Sequence, residues 1–378
     1  MFAWLKRLSA RRRPAPQDDP AALTPEEEAA GDAAQAAYQA ELDGQAPPPP
    51  PLSDAPGAPD SAWAEALGLP LAALAGGTLK LTPEEQLVSA AVLDHFDTHR
   101  PGPASFPAIA LQVVDLARQA DVDLGKLARL IEQDAALSAG VMVLASSPVF
   151  RGVEKIETPR QAIGRLGTAE VARLVTALST RSLYQPQVRA EFETFGPSWN
   201  RLFYASAVVA RTAASLATAR KLPGAEHAFV GGMLHDVGKS IALRSVAALA
   251  MEGQIRVPTP ESLARILQAV HVEVGVEVHE AWKLPEHLTA LAARHHEPSL
   301  PPDPSIAALH LVRLASALQL LAEAPGVNPG APLEVLDSAR ALGLGPARVQ
   351  ALSLELVEAG EWVRLLFGEE SGGPARAH

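Results

Sequence analysis

The chain has 378 residues, 48% of them hydrophobic, enough for one large or two ordinary domains with well-buried cores. Its net charge of −11, with no long basic stripe beyond the first residues, repels a phosphate backbone and argues against nucleic acid as a direct partner. The absence of cysteine excludes disulfides, zinc–thiolate sites and thiol nucleophiles, so any metal must sit on histidine and carboxylate.

The opening residues, MFAWLKRLSARRR, scatter charge where a secretory signal keeps its apolar segment, and no apolar run approaches the ~20 residues of a spanning helix. A cytoplasmic protein is expected. Lys6, Arg7, Arg11, Arg12 and Arg13 alternate with Phe2, Trp4, Leu5 and Leu8, a basic amphipathic tip that either lies on an anionic membrane surface or is simply solvated. Residues 14–79 then hold eleven Asp and Glu and no Lys or Arg, together with the APPPPPL run at 46–52. That composition favours solvated chain, so 1–79 reads as a mostly disordered tail, interrupted by a marginal helix that Thr24, Pro25 and Glu27 would open. LTPEE recurs at 81–85, where Thr82, Pro83 and Glu85 make a capping signature ahead of the first apolar run.

From there the period is helical nearly throughout. Leu124, Leu127 and Ile131, then Leu137, Val141 and Leu144, fall on three- and four-residue spacings, with Asp123 and Asp134 placed as caps. Thr158-Pro159 starts another helix, Gly167 stops it, and Thr168 starts the next. A second block of alanine-rich helices begins near Ser198. Within it HVEVGVEVH alternates like a strand, yet Leu267, Val270, Val274, Val278 and Trp282 keep helical spacing over a longer span, and length decides for helix. The expected fold is all-α: an N-terminal bundle at 80–185, a second helical part at 186–325, then further helices and a frayed tail at 326–378. Trp199, Trp282 and Trp362 read as core anchors.

The chemistry concentrates in GGMLHDVGKS at 231–240, where a histidine and an aspartate adjoin inside an apolar helical run. Asp236 and Lys239, three apart, can form an ion pair. His271, His279, His287 and His295 recur every eight residues, and most of them read as surface or helix-end histidines. FPAIALQVVDLARQADVDLGKLARLIEQDAALSAGVMVLASSPVF with IETPRQAIGRLGTAEVARLV resembles the N-terminal bundle of HDOD proteins, the HD-related output domain of bacterial signalling. AFVGGMLHDVGKSIAL, His271 with Gly275, and LPEHLTALAARHHEP resemble its HD-like part. The resemblance covers roughly 100–325, within a domain read as 80–325. It implies an all-helical fold and a non-enzymatic regulatory role exercised through a protein partner in a signalling pathway, with a possible nucleotide ligand.

Relatives of that family, the HD and HD-GYP phosphohydrolases, hydrolyse phosphate esters at divalent metals, and an HD pair is one contribution to their ligand set. By that resemblance His235, Asp236, His271, His295 and His296 are candidate vestigial metal ligands, and Lys239 is a phosphate-binding candidate. Ala205 stands where the first histidine ligand belongs and Ser316 where the later aspartate belongs. Losing even an outer partner costs ~10- to 100-fold in metal affinity or activity, so losing two direct ligands argues for a pseudo-enzyme holding no cofactor. His310, near Ser316, leaves a rearranged site open. The alternative is a phosphohydrolase using Mn, Fe or Mg on a substrate such as a cyclic dinucleotide.

Overall fold

The structure, a computed structural model, describes residues 60–368 apart from 102–105, 118, 120–121, 148–149, 151–155, 223–224 and 325. The basic tip, the Thr24 helix, the Pro-rich run and the last residues lie outside the described residues. α1 (Asp60–Leu67) and a 3₁₀ turn (Leu71–Ala75) precede α2 (Pro83–His99). A first bundle follows: α3 (Ala108–Ala117), α4 (Leu124–Glu132), α5 (Ala135–Ser146), α6 (Pro159–Leu166) and α7 (Thr168–Thr180). The second comprises α8 (Arg189–Ala219), α9 (Ala225–Leu234), α10 (Val237–Met251), α11 (Pro260–Ala281), α12 (Glu286–Arg294) and α13 (Ala307–Glu323). α14 (Ala331–Ala341) and α15 (Pro346–Phe367) come last. Among the described residues there is no strand, and HVEVGVEVH lies inside α11.

The caps form as the residue types require. Thr82 Oγ1 accepts from Glu85 N at 3.2 Å and Thr82 N donates to Glu85 Oε2 at 2.9 Å, closing a capping box at the start of α2. Asp123 caps α4, Asp134 caps α5, and Thr158 with Gln161 makes a second box at α6. Gly167 ends α6 at φ 81°, a conformation that L side chains resist.

Packing revises two boundaries. α2, expected in the N-terminal bundle, instead buries Val92 and Phe96 against Trp199, Ile241, Leu263 and Val270 of the second part. Glu85 anchors it there on Arg265, whose guanidinium holds the carboxyl at about 2. The segment read as tail also makes firm contacts from residue 60 onward: Trp63 is only 2% exposed and Leu74 is buried, in one cluster with Val335, Leu336, Val349 and Leu352. Apolar residues at Trp63, Leu67 and Leu74 offset a composition that otherwise looks unfolded. Of the tryptophan anchors, Trp199 and Trp362 are buried and Trp282 is half-buried beside Phe106.

α8 departs from the expectation of no span-length apolar run. Its 31 residues include a window of mean hydropathy 1.3, long and apolar enough to cross a membrane, but 67% of that window is buried among other helices of the protein.

Candidate metal centre

His235 and Asp236 occupy the junction where α9 ends and α10 begins, and glycines decide what can approach them. A Cβ at Gly238 would stand 2.0 Å from His271 O and 2.6 Å from Gly275 N, so α10 and α11 meet backbone to backbone only because position 238 is glycine. A Cβ at Gly232 would stand 2.4 Å from Ala210 Cα, and the same logic draws α9 onto α8. The first of these contacts carries His271 on α11 up to Asp236, and Gly231, where a Cβ would stand 2.6 Å from Leu291 Cδ1, lets α12 bring His295 beside it.

Three imidazoles are turned the same way. His235 Nδ1 donates to Gly232 O at 2.8 Å, His271 Nδ1 to Gln268 O at 3.0 Å, and His295 Nδ1 to Ala292 O at 2.9 Å. Each spends its Nδ1 proton on the carbonyl three residues back, which leaves the Nε2 lone pairs facing inward. His271 Nε2 lies 3.2 Å and His295 Nε2 3.5 Å from Asp236 Oδ1, and the two nitrogens are 3.3 Å apart. His235 Nε2 faces the other oxygen, Oδ2, at 3.4 Å, and Ser316 Oγ at 3.2 Å. Lys239 Nζ reaches Asp236 Oδ2 at 2.6 Å. One nitrogen of His296 completes a group whose donor atoms all lie within 4.8 Å of one another.

The electrostatics call for a cation. Asp236 Oδ1 is buried and accepts no hydrogen bond, because the nitrogens facing it carry lone pairs and no protons. Burial holds His235 at about 4 and pushes His271 and His296 well below the ordinary histidine range. Burial alone would raise the Asp236 carboxyl, but the Lys239 ammonium holds it well below the usual carboxylate range. A carboxylate oxygen and two lone pairs, crowded together and cut off from water, repel one another unless positive charge stands between them.

The donor triangle fits a metal ion. A tetrahedral ion with bonds of ~2.0–2.1 Å has donor-to-donor edges of about 3.4 Å. The edges among Asp236 Oδ1, His271 Nε2 and His295 Nε2 are 3.2, 3.3 and 3.5 Å. Two imidazoles and one carboxylate suit iron or zinc better than magnesium, which prefers oxygen. The expectation that no cofactor is held therefore fits these atoms poorly, while a His/Asp cluster able to hold a metal fits them well.

Other sequence-predicted positions fall into place or out of it. Ser316 Oγ faces His235 Nε2 at 3.2 Å. Ala205 is only half-buried, and the residue turned into the core is the next one along α8, Ser206, bonded to the buried Tyr184 hydroxyl. Lys239, the phosphate candidate, is buried and committed to Asp236. His310 bonds Pro301 O at 2.9 Å and Ser338 Oγ at 3.4 Å, away from the cluster, so it rearranges nothing. Of the eight-residue histidine stripe, His271, His279 and His295 are buried and only His287 is partly exposed, against the surface reading, because α11 and α12 turn these positions onto α9 and α10; His279, His287 and His295 do stand at helix ends.

Sequence reasoning missed Gln268, Asn328 and Glu334. Gln268 Nε2 donates to His296 Nε2 at 3.0 Å, Glu334 Oε1 lies 3.1 Å from His296 Nδ1, and Asn328 Nδ2 donates to both Glu334 oxygens at 3.2 Å. Asn328 and Glu334 lie beyond the stretch that carries the resemblance, and no motif marks them.

The HDOD domain model matches residues 104–298, about half of the chain. A crystal structure of an HDOD domain protein of unknown function from Geobacter sulfurreducens is similar at TM-score 0.53 and 22% identity, covering 75% of this chain and 99% of that one, a likeness of fold. A Shewanella amazonensis SB2B structure, provisionally described as a metal-dependent phosphohydrolase, has 21% identity over 71% of this chain and 99% of its own, at TM-score 0.46, too loose to argue from. Among curated proteins, an uncharacterized protein of Treponema pallidum (strain Nichols) is 20% identical over 196 residues, half of this chain. The chain spans 37% of that relative's length.

Proposed function

This chain belongs to the HDOD family, and from that premise we propose that it is a regulatory module of signal transduction, acting through a protein partner, whose cleft holds a divalent cation without hydrolysing a substrate. The observation that carries this reading is the burial of a complete donor triangle. Asp236 is 8% exposed, His271 1% and His295 0%. A hydrolytic metal keeps a position open to water and substrate, whereas a structural one is closed by its ligands. Ser316, at the position where the resemblance calls for an aspartate ligand, supports the same conclusion. When bound, the ion would supply positive charge at Oδ1, the oxygen that Lys239 leaves without a partner, and Asp236, His271 and His295 would hold it. The protein partner rests on the resemblance, as does a possible nucleotide ligand.

The intact donor set favours one competing reading, a metal-dependent phosphohydrolase acting on a cyclic dinucleotide or similar diester. Metal analysis of protein purified without a histidine tag, alongside turnover assays with manganese and iron on cyclic dinucleotides and generic phosphate esters, separates the two. Stoichiometric metal with no turnover is expected. Hydrolysis that disappears in Asp236→Ala with the fold intact by circular dichroism would make the enzyme reading the better one, and metal-free protein that takes up no added ion would remove the cation site.

A further inference from the structure

α14 begins more than thirty residues after the last residue that the family model matches, at 298. One face of it carries Glu334, Asp337 and Ser338, at the three- and four-residue spacings that put side chains on one side of a helix. All three engage the segment that follows His295. Asp337 pairs with the fully buried Arg313 and accepts from Ser299 Oγ at 3.2 Å and Leu300 N at 3.0 Å. Ser338 Oγ accepts from Arg313 at 3.1 Å, and Arg313 also holds the carbonyls of Glu297 at 2.5 Å and Pro298 at 3.2 Å. Glu334, one turn nearer the helix start and 4% exposed, reaches His296 itself.

The hydrogen bonds around His296 assign its proton. Glu334 as a carboxylate can only accept, so its Oε1 at 3.1 Å takes Nδ1–H and the lone pair falls on Nε2, 3.0 Å from Gln268 Nε2; Asn328 Nδ2, 3.3 Å from Nδ1, then spends its protons on the Glu334 oxygens. A carboxylate bonded to the far nitrogen of a ligating histidine fixes its tautomer, its ring orientation and its basicity. Asn328 bonds both oxygens of Glu334 and so holds that carboxylate in place.

We propose that Glu334 is a positioning residue of the cation site: by accepting Nδ1–H of His296 it keeps the lone pair on Nε2, where an ion would take it over from the Gln268 amide and make His296 the fourth donor beside Asp236, His271 and His295. α14 thereby becomes part of the centre, although the HDOD match stops well before it. This rests on the cation-site reading above. The role is separable from packing, because a packing residue would not act through His296.

Cobalt(II) titration of the full-length metal-free protein, followed by visible absorption and equilibrium dialysis, tests it. In Glu334→Met, which keeps the side-chain bulk and removes the acceptor, cobalt affinity should fall ~10- to 100-fold, the size of effect that loss of an outer partner produces, with a changed visible spectrum. Glu334→Gln, which retains an acceptor and loses the charge, should show a smaller but measurable loss. In a His296→Ala background, Glu334→Met should add nothing further. Wild-type affinity and spectrum in Glu334→Met, or losses that add in the double variant, would overturn the inference while leaving the cation site standing. Should Glu334→Met fail to fold, Glu334→Gln decides, and wild-type affinity there overturns it. A wild-type protein that binds no cobalt would overturn both.

Discussion

At the scale of single residues, buried charge and buried histidine set the energetics. Asp236 and Lys239 neutralise each other at 2.6 Å in a site closed to water. Removing one partner of such a pair leaves the other charge buried and unpaired, which costs about 3–5 kcal/mol. Asp236→Ala should destabilise the metal-free protein by that amount in urea unfolding, and adding Lys239→Met should restore part of it. His279 tests the opposite sign of charge. It is fully buried beside the backbone of Leu234 and Leu288, and burial holds it at about 4 against an ordinary 6.5. Below pH 6.5 the unfolded chain takes up a proton that the folded one refuses. Its contribution is therefore whole above pH 6.5 and lost as pH falls toward 4. Stability should drop by about 2 kcal/mol between pH 7.5 and 5 through this residue alone, and His279→Gln should remove that share of the slope measured in urea.

At the scale of elements, the crossing of α10 and α11 depends on Gly238. An alanine methyl there has no room, since the obstacle is the His271 carbonyl at 2.0 Å and not a side chain that can swing aside. Gly238→Ala should cost at least the ~1–3 kcal/mol of ordinary overpacking, and should lower metal uptake as His271 is pushed off Asp236. Gly164 is the control. It is an exposed position inside α6, and nothing lies within 4 Å of the place a methyl would take, so Gly164→Ala should stabilise by about 0.5–1 kcal/mol in the same urea series and leave metal uptake alone.

At the scale of the described chain, segments outside the family match complete the core. α1 brings Trp63, at 2% exposure, into the cluster that α8, α13, α14 and α15 build. Trp63→Ala should cost about 3–5 kcal/mol, the range for emptying a buried aromatic site, read as a lower urea midpoint. A change of a few tenths would return residues 60–75 to the tail in which composition alone puts them.

Helical character, the caps at Thr82, Asp123, Asp134 and Thr158, and the candidate set around His235-Asp236 were all legible in the sequence, because periodicity, capping and motif order are local properties of the chain. HVEVGVEVH was resolved the same way, by the length over which the apolar spacing persists. What required the tertiary structure was everything set by contact between distant segments. The docking of α2 on α10 and α11, the burial of Trp63 and the turning of Ser206 into the core depend on which face of a helix meets which neighbour, and apolar spacing leaves that choice open. The direction of the three Nε2 lone pairs depends on carbonyls three residues back within each histidine's own turn, but the meeting of His271 and His295 on Oδ1, with His235 on Oδ2, depends on how closely Gly238 and Gly231 let α11 and α12 approach. Glu334 lay furthest from sequence reasoning. Its link to His296 spans 38 positions and lies in no motif, and only a fold that brings α14 against the end of α12 puts the two side chains 3.1 Å apart.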